Sequence, residues 1–151
     1  LIVEGLTIDL NQHGERKRLV SNISFRLSPG KVVALVGESG SGKSVTARAL
    51  VGLSAPGCEV QARQLSFGDQ DLLQLRERAW RNLRGQDIGF VLQDALVSLD
   101  PLRSIGDEIL ESLNAHRWGT RQQRQARMLT LLEKVGIPYP ALRARQRAGA
   151  L

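Results

Sequence analysis

Eight consecutive residues, Gly37-Glu38-Ser39-Gly40-Ser41-Gly42-Lys43-Ser44, have the types and spacing to hold a string of phosphate oxygens. They read G-x-x-x-x-G-K-[ST]. Glycines let backbone N–H groups approach charged oxygens with no Cβ in the way. A lysine at the seventh position reaches β- and γ-phosphates, and a hydroxyl at the eighth can ligate Mg²⁺. The chemistry implied is capture of a nucleoside triphosphate tail. Further along, Gln93 closes a second apolar run, Ile88-Gly89-Phe90-Val91-Leu92.

A phosphate loop must be launched by a strand and received by a helix. Residues 31–36, Lys-Val-Val-Ala-Leu-Val, form a short apolar run that ends at Gly37, as a buried parallel strand should. Val45, Ala49, Leu50 and Leu53 then recur at helical spacing, so strand, loop and helix follow in the required order. Residues 88–92 read as a second buried strand beside the first. Upstream, Val3, Leu6, Ile8 and Leu10 alternate with polar residues, loosened by Gly5, and Leu19 to Leu27 alternates again. These predict two antiparallel strands. Residues 54–71 are turn-rich with a short strand at 64–67. Residues 72–83 predict an amphipathic helix stopped at Gly85. Ser104, with Asp107 three residues on, predicts the start of a helix reaching about Asn114. Residues 121–135 predict another, closed by Gly136 and Pro138. Residues 141–151 carry three arginines and no clear element.

The length of 151 residues suits one domain with a real core, and a hydrophobic fraction of 42% with 24% charged residues is ordinary for a soluble protein. No apolar run approaches membrane-span length. The single cysteine, Cys58, cannot make an internal disulfide, which fits a reducing compartment. A chain beginning at Leu1 reads as an excised or processed piece. Net charge is +6, and from Arg117 onward eight basic residues face one acid, Glu133. Without an aromatic stacking platform among the arginines, this favours a solvated helix face or a partner-facing patch over a nucleic-acid surface.

The loop at 37–44 and the segment Phe90-Val91-Leu92-Gln93-Asp94-Ala95-Leu96-Val97-Ser98-Leu99-Asp100-Pro101 together resemble the ATP-binding subunits of ABC transporters, over nearly the whole chain. The second segment resembles that family's Q-loop. Both are similar in form to the branch that imports dipeptides, oligopeptides and nickel. The resemblance implies a partial P-loop NTPase core of the α/β class, with an N-terminal antiparallel β-flank and the start of a helical subdomain. The core would occupy residues 1–93 and the subdomain 94–151. It implies ATP and Mg²⁺ as cofactors. Gly37, Glu38, Ser39, Gly40, Ser41, Gly42, Lys43, Ser44 and Val45 would hold the nucleotide, Ser44 and Gln93 the metal, and Lys43 and Gln93 would serve catalysis. Leu10 lies where the family places an aromatic ring on adenine. A leucine lacks the π-face, so weak base selectivity is expected. The partners implied are membrane-spanning permease subunits, a second ATP-binding subunit and, indirectly, a solute-binding protein, at the cytoplasmic face of the inner membrane. Gln93 and residues 94–107 would face the permease.

The family's signature motif, Walker B acid, catalytic Glu and switch histidine follow the point where this sequence stops, so residues 1–151 alone are expected to hydrolyse ATP at no more than a trace rate. Two other readings remain at this stage: a non-transport ABC ATPase acting on nucleic acid or ribosomes, supported by the basic C-terminal half, and a small P-loop kinase or GTPase using Asp94 as its Mg²⁺ partner.

Overall fold

The pattern of β1 (Ile2–Gln12) contains its own irregularity. Buried Val3, Leu6 and Ile8 are spaced three and then two, and a strict two-residue period would turn one of them outward. The computed structural model, which describes residues 1–93 and 98–147, resolves this with a β-bulge. Val3 pairs with Phe25 and Leu6 with Ile23, so three residues of β1 span two of β2 (Glu15–Arg26), and the additional one falls at Gly5. The Gly5 N–H donates to Ser24 Oγ at 2.9 Å, and all three apolar side chains return to one face.

β1 is the centre of an all-antiparallel sheet. Its other edge is shared by β3 (Cys58–Gln61) against residues 7–10 and β4 (Gln64–Phe67) against residues 2–4, and β5 (Gln70–Asp71) extends β4. The sequence reading found β1, β2 and β4 and missed β3 and β5, which are short and lie among turn formers. A 3₁₀ turn at Leu72–Gln74, capped by Asp71, and α2 (Glu77–Gln86) replace the single helix expected over 72–83. Regular helical geometry ends at Leu83, because Arg84 is extended and Gly85 is left-handed.

The chain divides into two compact units, Leu1–Leu83 and Arg84–Leu151. The second is helical. α3 (Ile105–Ala115) and α4 (Arg121–Lys134) enclose Met128 and Leu132 with Ile105, Ile109, Leu110 and Leu129. Ser104 caps α3 as expected, its Oγ accepting from the Asp107 N–H at 3.1 Å while its hydroxyl donates to the Asp107 carboxylate at 2.6 Å. Thr120 and Gln123 form a reciprocal capping box at the start of α4. A short α5 (Pro140–Arg143), unforeseen from sequence, brings Ala144 into the same core. The N–H groups of Ile105 and Gly106, which a helix start leaves without partners, donate to the carbonyls of Gln146 and Ala144 at 2.8 Å.

The fold is mixed α/β with an antiparallel flank, a phosphate loop leading into α1 (Lys43–Ala49), and a helical section, as expected. One expectation fails. Residues 31–36 and 88–92 do not form strands of the sheet. Val32 is 95% exposed, Val36 88% and Val91 91%. Ile88 makes only an isolated bridge to Arg84. The runs have buried-strand composition, but a parallel strand exists only against hydrogen-bonding neighbours, and none of the described residues pairs with them in a ladder.

Candidate nucleotide-binding site

The loop at 37–44 is anchored from beneath by β2. Ile8 pairs with Val20 but Asp9 pairs with Arg18, so the ladder slips by one residue at Leu19. That bulge brings the Leu19 carbonyl and the Val20 side chain up to the start of α1. A Cβ on Gly42 would lie 2.8 Å from Leu19 O and 2.9 Å from Val20 Cγ2, and Gly42 sits at φ 90°. Both the backbone conformation and the close approach demand glycine there. Gly42 O accepts the first helical bond, from Thr46 N–H at 2.8 Å, and Thr46 and Ala49 are buried on the inner side of α1.

The outer side is open. Residues 37–41 and Ser44 are exposed, and a Cβ on Gly40 would meet nothing within 4 Å. Lys43 Nζ curls over the loop and donates to Gly37 O at 2.8 Å, Glu38 O at 2.6 Å and Ser41 Oγ at 3.3 Å. The ammonium is thereby held at the concave side of the loop by neutral acceptors that an anionic oxygen can displace, because an oxygen carrying negative charge adds Coulombic attraction that a neutral carbonyl or hydroxyl lacks. A cradle of glycine backbone, a positioned ammonium and an exposed hydroxyl fit a phosphate chain with its counter-ion.

The other expected residues stand differently. Leu10 is half-buried in β1, opposite Lys17 of β2 and Cys58 of β3. It follows by two residues Ile8, whose partner Val20 supports Gly42. Gln93 is exposed and belongs to the second compact unit, not at the end of a sheet strand as expected. Residues 94–97 lie outside the described residues, so the expected roles of Asp94 to Val97 do too. Beyond them, Arg103 organises the approach to α3. It pairs with Glu108 at 3.4 Å and with Glu111, and Nη2 donates to Asp107 O at 3.1 Å. An open groove of about 580 Å³ runs beside it, lined by Arg84, Ser98, Asp100, Arg103, Glu111 and Ala115 among others. Sequence reasoning missed Arg103, because its spacing to Glu108 and Glu111 becomes a signal only once the start of α3 is known.

A charged ladder crosses the face of the sheet opposite the core. Asp9 is 2% exposed and stands in register with Arg18 on one side and Glu59 on the other. Its carboxylate accepts from Arg18 Nε at 2.9 Å and Arg16 Nη2 at 2.7 Å, and Arg16 also reaches Glu59 at 3.5 Å. The Arg18 bond, then the Arg16 bond, hold the Asp9 carboxyl down at about 2.

Residues 20–150 match the family model described as ABC transporter. The chain is 39% identical over 143 residues to the dipeptide transport ATP-binding protein DppD of Escherichia coli, covering 95% of this chain and 44% of that protein. It is 37% identical to the oligopeptide transport ATP-binding protein OppD of Bacillus subtilis, covering 97% and 41%. The chain thus spans less than half the length of these relatives. Among solved structures, the dimeric structure of MJ0796, a bacterial ABC transporter cassette, matches with a TM-score of 0.78 at 22% identity, over 99% of this chain and 62% of that one. At that identity the likeness speaks for the fold. Among the described residues no helix is long and apolar enough to cross a membrane.

Proposed function

Because the chain belongs to the ABC transporter family, we propose that it is the nucleotide-binding portion of a subunit whose ATP hydrolysis powers import of peptides, or of a related small solute such as nickel. The observation that carries this reading is the loop at 37–44, with Gly42 seated on the Leu19 bulge and Lys43 Nζ poised over its concave side. The transport names of the 37–39% identical relatives direct it toward peptides rather than nucleic acid or a kinase substrate.

In this reading residues 1–93 carry the nucleotide and residues 94–151 the start of the helical part. The loop backbone and Lys43 hold and neutralise the triphosphate. The Ser44 hydroxyl would hold Mg²⁺, with Gln93 as the second ligand that the resemblance of its segment to the Q-loop implies, and the ion would supply charge neutralisation at the phosphate oxygens. Leu10 offers the base an apolar surface and no ring. The permease subunits would meet the groove lined by Ser98, Asp100 and Arg103, together with Gln93 and the segment that follows it. The second ATP-binding subunit has its precedent in the dimeric cassette of similar fold. A solute-binding protein would act through the permease, and the subunit would sit at the cytoplasmic face of the membrane.

Titration with ATP·Mg²⁺ tests the site. Lys43→Ala removes a charge-assisted contact of about 1.5–3 kcal/mol, so affinity should fall roughly ten- to hundredfold at constant salt. Equal affinity of parent and variant would show that the loop is not the site.

A further inference from the structure

Residues 134–147 form the tip where α4 ends, turns and re-enters as α5. They carry Lys134, Arg143, Arg145 and Arg147 and no acidic residue. Arg143 donates to Gln146 Oε1 at 2.9 Å, and among the described residues none of the four joins an ion pair. The tip has two faces. Ile137 and Ala144 pack inward on Met128 and Leu132. Outward stand Val135 at 73% exposure, Tyr139 at 75% and Leu142 at 58%. Tyr139 caps α5 with φ 55° and ψ 57°, a left-handed conformation uncommon for a bulky residue. Its carbonyl accepts from the N–H groups of Leu142 and Arg143 at 2.9 and 3.0 Å, which fixes the turn while its side chain remains exposed.

We propose that this tip lies directly against an anionic lipid surface. A tyrosine and two aliphatic side chains suit the headgroup boundary, where one end of the ring is wet and the other apolar. Four basic side chains outnumber the acids beside them, Glu133 next to Lys134 and Asp107 lining the same pocket as Arg145, and match the phosphates of anionic lipids. Nucleic acid offers phosphates too, but Val135 and Leu142 gain nothing from stacked bases, whereas they gain from the boundary of the acyl region. The contact goes beyond any docking on permease subunits, and its failure would leave the Lys43 titration untouched.

The test is flotation of the full chain with phosphatidylcholine vesicles and with mixed phosphatidylcholine–phosphatidylglycerol vesicles. Binding is expected only to the anionic vesicles, and it should vanish at about 1 M salt, where the screening length falls to about 3 Å. Each cation near such a surface is worth about fivefold in partitioning, so K134Q/R145Q should weaken binding roughly twentyfold. Y139S/L142S should weaken it at low salt as well. R76Q/R78Q, the same charge change on the exposed side of the first unit, should leave it unchanged, and thermal melts will confirm that each variant is folded. Equal binding to both vesicle types, equal loss in R76Q/R78Q, or tighter binding to duplex DNA than to vesicles at the same salt would each overturn the proposal. The salt and lipid arms need no variant.

Discussion

Gly42 and Gly40 allow the architecture of the phosphate loop to be tested by one substitution at two places. Both are left-handed, at φ 90° and 80°, so alanine at either forfeits about 1–2 kcal/mol for an L residue held in that region. Their surroundings differ. At Gly40 the new methyl enters open space, and at Gly42 it lies 2.8 Å from Leu19 O and 2.9 Å from Val20 Cγ2. Neither obstacle is the loose end of a flexible side chain: one is backbone held in a bulged ladder, and Val20 is buried. Relieving the contact requires α1 or the Leu19 bulge to move, at about 1–3 kcal/mol beyond the conformational term. Gly40→Ala should therefore lose about 1–2 kcal/mol and Gly42→Ala about 2–5. At about 2–4 °C per kcal/mol for a chain of this size, the second variant should melt clearly below the first by far-ultraviolet circular dichroism. If the two melt together, the seating of the loop on β2 described above is wrong.

Asp9 supplies a pH signature. Its folded carboxyl titrates at about 2, below the usual 3.8, so its stabilisation is complete above the ordinary carboxylate range and is lost as pH falls through about 2. Denaturant midpoints of parent and Asp9→Asn should differ most above about pH 4 and converge toward pH 2, and a gap that stays constant would sink the assignment. Thr120→Ala removes the side-chain acceptor for the Gln123 N–H and should cost about 0.5–2 kcal/mol; an unchanged melt would show that the capping box contributes nothing. With leucine at position 10, competition titrations should find ATP and GTP bound within a few-fold of each other. Leu10→Tyr should strengthen both, since stacking on a base is worth about 1–3 kcal/mol, and no change would place the base elsewhere.

Where local chemistry is sufficient, the residues alone were decisive. The loop at 37–44 points to a phosphate-bearing ligand because its glycines, lysine and hydroxyl fall within eight consecutive positions. Ser104 with Asp107, and Gly136 after residue 135, marked helix ends because a cap is a bond between near neighbours. Period-two alternation found β1 and β2, and Gly5 even marked the place where the alternation slips. What depended on distant parts of the chain could not be read this way. The valines of residues 31–36 have the composition of a buried strand, yet whether they become one depends on neighbours that must be hydrogen-bonded to them, and composition is silent on pairing. The bulge at Leu19 that makes Gly42 obligatory arises from a register between β1 and β2. The same register, with β3 on the other edge, drew Arg18, Asp9 and Glu59 into one ladder although they are far apart in sequence. The outward face of the tip at 134–147 likewise became visible only once Ile137 and Ala144 were seen to spend the inward one on the helical core. Sequence determines the groups and their local geometry; burial and close approach belong to the tertiary fold, because they are properties of pairs of segments rather than of either alone.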